Sequence, residues 1–320
     1  MTIFEALGHD RVSGGPRGHQ QTIETVISYV FMYPHEVWKV YKHENGFVGD
    51  LTNDAFRQAF VREDFAWNNA MCPEIYQRLV GLRLAGDTWE VCPTADAGDL
   101  AIVMRRISMD DSLYHRLMTE HVTTNQVADV ATTMLTRLMA LTKAKQASIK
   151  TFQRPWSELH HLRLQDLREW CSLDGANIEP TFLAEVLTTL EKLAQDPYIQ
   201  QFRSRDMHVG IDNHTGNILI TTDGVELLDI YQFKDHWLAV DPWVNITRPA
   251  ADIAVLGDSA LLDAYLTAAA ALVPRPPRQI LTGYLIEGAM IMAAYRNMLG
   301  ELETATRFIQ YVREQLSGMN

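Results

Sequence analysis

The sequence has little cysteine. Cys72, Cys92 and Cys171 stand far apart and form no C-x-x-C pair. Such a set supplies neither a disulfide framework nor a zinc knuckle, and it leads us to expect a reducing, cytoplasmic setting. No apolar run reaches the length of a bilayer span. The richest, Ala268–Val273, is short and ends in Pro-Arg-Pro-Pro. The first residues lack the apolar stretch of a secretory signal, so none is expected. Positive charge is also scarce: 28 Lys and Arg face 40 Asp and Glu, a formal net charge of −12. That excess opposes phosphate backbones and anionic lipid, so neither a nucleic acid nor a membrane is expected as partner. What is abundant is core material. Hydrophobic residues make up 47% of the 320 positions and charged residues 21%, enough for one large or two modest cores and unlike a disordered chain.

The pattern changes along the chain. Residues 1–21 include a Gly- and Pro-rich stretch from Arg11 to Gln21 and read as a flexible arm. Strand-like segments follow: the β-branched and aromatic Thr22–Tyr33, the alternating Glu36–Lys42, then Thr-Trp-Glu-Val-Cys-Pro and Leu-Ala-Ile-Val-Met-Arg-Arg. Between them Asp54–Ala70 reads as a helix with capping chemistry just before it. Phe56, Phe60 and Trp67 fall on one face, with Glu63 in line. From Asp110 onward helical stripes dominate, among them Val127–Leu141 and Phe182–Leu193. Residues 22–106 therefore form a small β-rich part with one helix, and residues 107–320 a larger helical part holding one β-hairpin. The fold class is α+β.

The chemistry concentrates between His208 and Asp229, His-Val-Gly-Ile-Asp-Asn-His-Thr-Gly-Asn followed by two short apolar strands joined at Asp223-Gly224. Asp212 stands five residues before Asn217, and Asp229 closes the second strand. A hairpin brings its two ends together, so Asn217 and Asp229 should sit side by side, an amide and a carboxylate suited to a hard cation. Asp212 would accept a hydrogen bond from an attacking hydroxyl, as phosphoryl transfer requires. Asp-Asn-His-Thr-Gly-Asn is also good turn chemistry by itself. In the β-rich part, Lys39 lies within an alternating strand. An ion pair from it to Glu63 would account for both misplaced charges and would aim the lysine at a phosphate; Lys42 is the alternative lysine.

On these residues the chain resembles the aminoglycoside phosphotransferase-like kinases. His-Val-Gly-Ile-Asp-Asn-His-Thr-Gly-Asn-Ile-Leu is similar to their His-Gly-Asp-Leu-His-Pro-Gly-Asn-Ile-Leu signature. Leu227–Asp229 and Asp252-Ile-Ala-Val-Leu256 are similar to their metal-aspartate strand and downstream helix. Thr22–Phe31, Glu36–Lys42, Phe60–Tyr76 and Leu100–Arg106 are similar to a bacterial subset, some of whose members carry an appended ATPase domain. The resemblance implies a two-lobed protein-kinase-like fold, a small antiparallel-sheet N-lobe and a mainly helical C-lobe. It also implies an ATP- and Mg2+-dependent transfer of the γ-phosphate to a hydroxyl of a small molecule: an aminoglycoside, an amino alcohol or a sugar. Asp212 would be catalytic, Asn217 and Asp229 would hold magnesium, and Lys39, steadied by Glu63, would meet the phosphates. The backbone of Met104 to Arg106 would meet the adenine. His214 falls at the signature's second histidine and, with Asp235 and Asp241, is a candidate for the acceptor side, where Glu287 would complete an acidic face. Two departures stand out. Gly210 occupies the place of the signature's first histidine, and no glycine-rich loop separates the first two strands, so Thr25–Ser28 would have to serve.

Two other readings compete. A regulatory pseudokinase would keep the fold and bind nucleotide without turnover. A metal-dependent hydrolase could use His208, Asp212 and His214, but that reading leaves Lys39 and Glu63 unexplained.

Overall fold

Alternating and β-branched segments in the first third of the chain assemble into one sheet. The computed structural model describes residues 1–46, 48–202 and 206–319, and the chain divides into two compact units, Met1–Ser108 and Met109–Asn320.

The first unit opens with helix α1 (Ile3–Gly8), followed by strands β1 (Val12–Ser13), β2 (Gln21–Glu24), β3 (Ser28–Met32) and β4 (Glu36–Tyr41). A small hairpin, β5 (Asn45–Gly46) and β6 (Gly49–Asp50), leads into helix α2 (Asp54–Met71), which Asn53 caps through its side chain. Strands β7 (Tyr76–Ala85), β8 (Thr88–Cys92) and β9 (Asp99–Arg105) complete it. The seven-stranded sheet has the order β1-β8-β7-β9-β4-β3-β2, antiparallel except for the β1–β8 pair.

The expected flexible arm at residues 1–21 is instead part of this unit. Thr2 caps α1 in a reciprocal box with Glu5, and Ile3, Ala6, Leu7 and Val12 pack against Phe31, Tyr33, Trp38 and Val103. The Gly- and Pro-rich stretch is tied down by Asp10, whose carboxylate accepts from the amides of Gly18 (2.9 Å) and His19 (3.1 Å). Composition marked this stretch as mobile because the apolar residues that bury it lie on either side of it.

The second unit is mainly helical: α3 (Leu113–Met118), α4 (Thr124–Lys145), α5 (Trp156–Cys171), α6 (Pro180–Leu193), α7 (Pro197–Gln201), α8 (Pro242–Leu256), α9 (Ser259–Ala270), α10 (Arg278–Met298) and α11 (Leu302–Met319). The hairpin of β10 (Ile218–Thr221) and β11 (Gly224–Leu227) is inserted between α7 and α8 and rests on α4. Helix α10 packs on α8 and α11, and α4 on α9. The stripe Val127, Val130, Met134, Leu135, Leu138 is buried, as are Phe182, Leu183, Val186, Leu187 and Leu190 along α6. No described helix is long and apolar enough to cross a membrane.

Candidate active site

The loop from His208 to Asn217 is held by helix α8. Asn245 receives the amide of Ile211 on Oδ1 (3.1 Å) and donates Nδ2 to the carbonyl of Val209 (2.9 Å). These two bonds bracket Gly210. Thr142 accepts from the Val209 amide at 3.0 Å, and His208 pairs through its backbone with Val240. Two turns further along α8, buried Asp252 takes the amide and hydroxyl of Thr215. Burial raises the Asp252 pKa, and the Thr215 bonds oppose that rise.

This anchoring explains why glycine stands where the signature has a histidine. A Cβ on Gly210 would lie 1.7 Å from the carbonyl oxygen of Trp237. No side chain fits there, and Asn245 and Thr142 hold the loop instead.

Asp212 and Asn217 are both half-buried. Among the described residues the Asp212 carboxylate makes no hydrogen bond or ion pair. Asn217 donates Nδ2 to the Asp212 carbonyl (3.2 Å), which leaves Oδ1 as its free oxygen donor. The hairpin register pairs Ile218 with Leu227, and the Leu228 amide donates to the Asn217 carbonyl at 2.7 Å. On the other side, the Asp212 amide donates to the Ile230 carbonyl at 3.1 Å. Asp229 is therefore clasped between two bonds to the backbone of the 208–217 loop. It is exposed and adopts φ +47°, the left-handed region that aspartate and asparagine enter more readily than other side chains. The structure thus brings Asp212, Asn217 and Asp229 together.

His214 accepts the Gly216 amide on Nδ1 (3.1 Å), and its ring lies 5.6 Å from that of Tyr295. Desolvation lowers the His214 pKa, so near neutrality it is an uncharged ring. Among the described residues, no three His, Cys, Asp or Glu side chains gather as a metal site would require, which leaves the His208–Asp212–His214 hydrolase reading without its cluster.

In the first unit, Lys39 is buried in β4 and its Nζ lies 3.5 Å from Asp64 Oδ2. Asp64 also accepts from the Tyr41 hydroxyl (2.7 Å) and from Asn68 Nδ2 (2.7 Å). The expected partner, Glu63, is exposed. The inward face of α2 runs through Arg57, Phe60, Val61, Asp64, Trp67, Asn68 and Met71, while Phe56 is 42% exposed. Counting Phe56 into the apolar stripe shifted the phase by one residue, about 100° on a helix. Of the adenine-side candidates, Met104 lies in β9 between Val37 and Tyr76. The Arg106 side chain donates to the Tyr33 carbonyl (3.0 Å) and to Gln20.

No protein-family model matches the sequence, and no curated protein matches it. Solved structures match it through nearly the whole chain. The choline kinase of Cryptosporidium parvum Iowa II superposes with a TM-score of 0.56 at 9% identity, over 99% of this chain and 95% of its own. The GDP complex of an aminoglycoside 2'-phosphotransferase gives 0.54 at 9% identity, covering 95% and 94%. The AMP-bound spectinomycin phosphotransferase gives 0.52 at 11%, covering 98% and 96%. The fold is that of the aminoglycoside phosphotransferases and choline kinases. It is the two-lobed protein-kinase-like fold.

Within this phosphotransferase fold, the expected acidic acceptor face does not form. Asp241 is fully buried and caps α8, its carboxylate accepting from the Trp243 amide (2.9 Å) and the hydroxyls of Tyr198 (2.9 Å) and Tyr284 (3.1 Å). Burial raises its pKa to about 6. Glu287 is buried against Arg163, which donates to both its oxygens. Of the three, Asp235 is exposed, in the turn before Trp237. Acidity alone could not separate a helix cap and a core ion pair from a substrate face.

Sequence reasoning missed Asn245, Thr142, Asp64 and Arg248. The spacing of Asn245, Arg248 and Asp252, at i, i+3 and i+7 of one helix, was the available signal for a common face.

Proposed function

We propose that the chain is a phosphotransferase that moves the γ-phosphate of ATP to a hydroxyl of a small molecule. The observation that carries the proposal is the clasp of Asp229 beside Asp212 and Asn217. It is supported at the level of fold by the similar structures of choline kinase and aminoglycoside phosphotransferases, several of them in GDP, ADP or AMP complexes.

Asp212 is assigned the hydroxyl. It is half-buried, its carboxylate is unengaged, and its backbone is fixed at Ile230 and Asn217, so it can orient an acceptor O–H and take its proton as the bond to phosphorus forms. Asn217 Oδ1 and Asp229 would hold magnesium. One amide oxygen and one carboxylate suit a hard cation that takes its remaining ligands from phosphate and water. When bound, the ion would neutralise charge on the phosphates. Lys39, steadied by Asp64, is assigned a phosphate contact, and the backbone of Met104 to Arg106 the adenine.

A pseudokinase is the second reading, favoured by the Trp237 carbonyl that fills the place of the signature histidine. Asn245 and Thr142 hold the loop without that histidine, which favours turnover. Release of ADP in the presence of magnesium, screened against amines, sugars and hydroxy acids, separates the two. Turnover that vanishes in Asp212→Ala supports transfer, and turnover unchanged in that variant removes Asp212 from the chemistry.

A further inference from the structure

The side chain that faces the catalytic loop between its two α8 anchors is a cation. Asn245 binds Val209 and Ile211 and, through its carbonyl, Asn213; Asp252 binds Thr215. Arg248 lies between them on the same helix face, opposite the stretch of loop that carries Asp212. It is half-buried, and among the described residues it makes no hydrogen bond or ion pair; its guanidinium rests 5.7 Å from the Trp237 ring centroid. Helix α10 packs against α8 at this level through Gly288, where a Cβ would stand 3.2 Å from the Thr247 carbonyl oxygen. The carboxylate acting most strongly on this guanidinium is Asp212, with Glu287 and Asp252 behind it. Glu287 is committed to Arg163 through both oxygens, and Asp252 gives one oxygen, Oδ2, to Thr215. An arginine held partly out of water with no ion pair keeps part of its desolvation cost until an anion arrives.

Two of the three acidic groups that would receive a cationic acceptor are taken up elsewhere, Asp241 by two tyrosines and a helix N-terminus and Glu287 by Arg163, and Asp235 alone stays exposed. Building on the phosphotransferase reading, we infer that Arg248 anchors an anionic group of the acceptor, so that the substrate is a hydroxyl compound bearing a carboxylate or phosphate, not a polycationic aminoglycoside. The planar fork of the guanidinium would fix such a group while the acceptor's hydroxyl reaches Asp212.

The test uses the full chain with Mg2+ and ATP and a panel of glycerate, gluconate, glycerol 3-phosphate, glycerol, choline and kanamycin. Binding is read by calorimetry and transfer by ADP release. We expect an anionic member to bind and accept phosphate. Arg248→Met should weaken its binding about tenfold or more while the KM for ATP stays unchanged, and Arg248→Lys should recover part of the loss. Glycerate against glycerol 3-phosphate distinguishes carboxylate from phosphate. Binding confined to choline or kanamycin, no binding by any anionic member, or anion binding that Arg248→Met leaves unaltered overturns the inference. The kinase reading fails separately, by absence of Mg-ATP binding or by turnover that survives in Asp212→Ala.

Discussion

Lys39 Nζ lies 3.5 Å from Asp64 Oδ2, while Glu63, the adjacent residue on α2, faces outward. Both partners of the pair are buried, so removing the carboxylate leaves an ammonium in a poor solvent and strips an acceptor from Tyr41 and Asn68. Asp64→Ala should destabilise the fold by about 3 kcal/mol and raise the KM for ATP. Glu63→Ala should lie within about 0.5 kcal/mol of the parent. Urea denaturation of both variants, with nucleotide titration, checks this; equal effects would reassign the lysine's partner.

Asn217 and Asp229 are assigned one ion between them, so each substitution should act through magnesium. Asn217→Ala and Asp229→Ala should each lower transfer by roughly a hundredfold or more and raise the magnesium concentration for half-maximal activity. A second reading comes from melting curves: the added stability that ATP confers should need magnesium in the parent and lose that requirement's midpoint in the variants. Magnesium dependence untouched by either substitution would move the metal elsewhere.

The space at Gly210 is closed. A Cβ there would overlap the Trp237 carbonyl, and that oxygen is backbone and cannot swing aside. Gly210→Ala should cost about 3 kcal/mol or more, by forcing the loop off the 237–240 segment. Asn245→Ala leaves the Ile211 amide and Val209 carbonyl without their partner and should cost about 2 kcal/mol. Because the same loop carries Asp212, Asn245→Ala should also lower kcat more than it raises the KM for ATP. Melting temperatures and steady-state kinetics of the soluble fraction test both.

The hairpin was readable because two short apolar strands flank Asp223-Gly224, and the turn residues fix which ends meet. Two apolar strands around Asp223-Gly224 can hardly place Asn217 and Asp229 apart. The partner of Lys39 was not readable to the residue. Glu63 and Asp64 are neighbours in sequence, and only the burial of Arg57 and the exposure of Phe56 decide which faces inward. Asp241 and Glu287 misled for a related reason: a carboxylate's burial depends on Tyr198, Tyr284 and Arg163, which come from other helices. Residues 1–21 read as an arm because their local composition says nothing of the Phe31–Tyr33 surface on which Ile3 and Leu7 rest.

Two buried groups should give opposing pH dependences. Burial lowers the pKa of His160 to about 4 and raises that of Asp241 to about 6. For His160 the unfolded chain binds more protons between pH about 4 and 6.5, so its contribution to stability is intact above that window and is lost as pH falls through it. For Asp241 the folded chain binds more protons between about 3.9 and 6, so its contribution is intact below the window and falls as pH rises through it. Each amounts to about 3 kcal/mol at most, and the two windows nearly coincide, so in the parent they largely cancel. Asp241→Asn removes one slope. Between about pH 4 and 6.5 its stability should rise with pH relative to the parent's. His160→Gln should show the reverse, falling relative to the parent over the same range. Urea midpoints at half-unit steps across that range, for the parent and both variants, measure it. Parallel curves for all three would mean that neither group changes its protonation on folding.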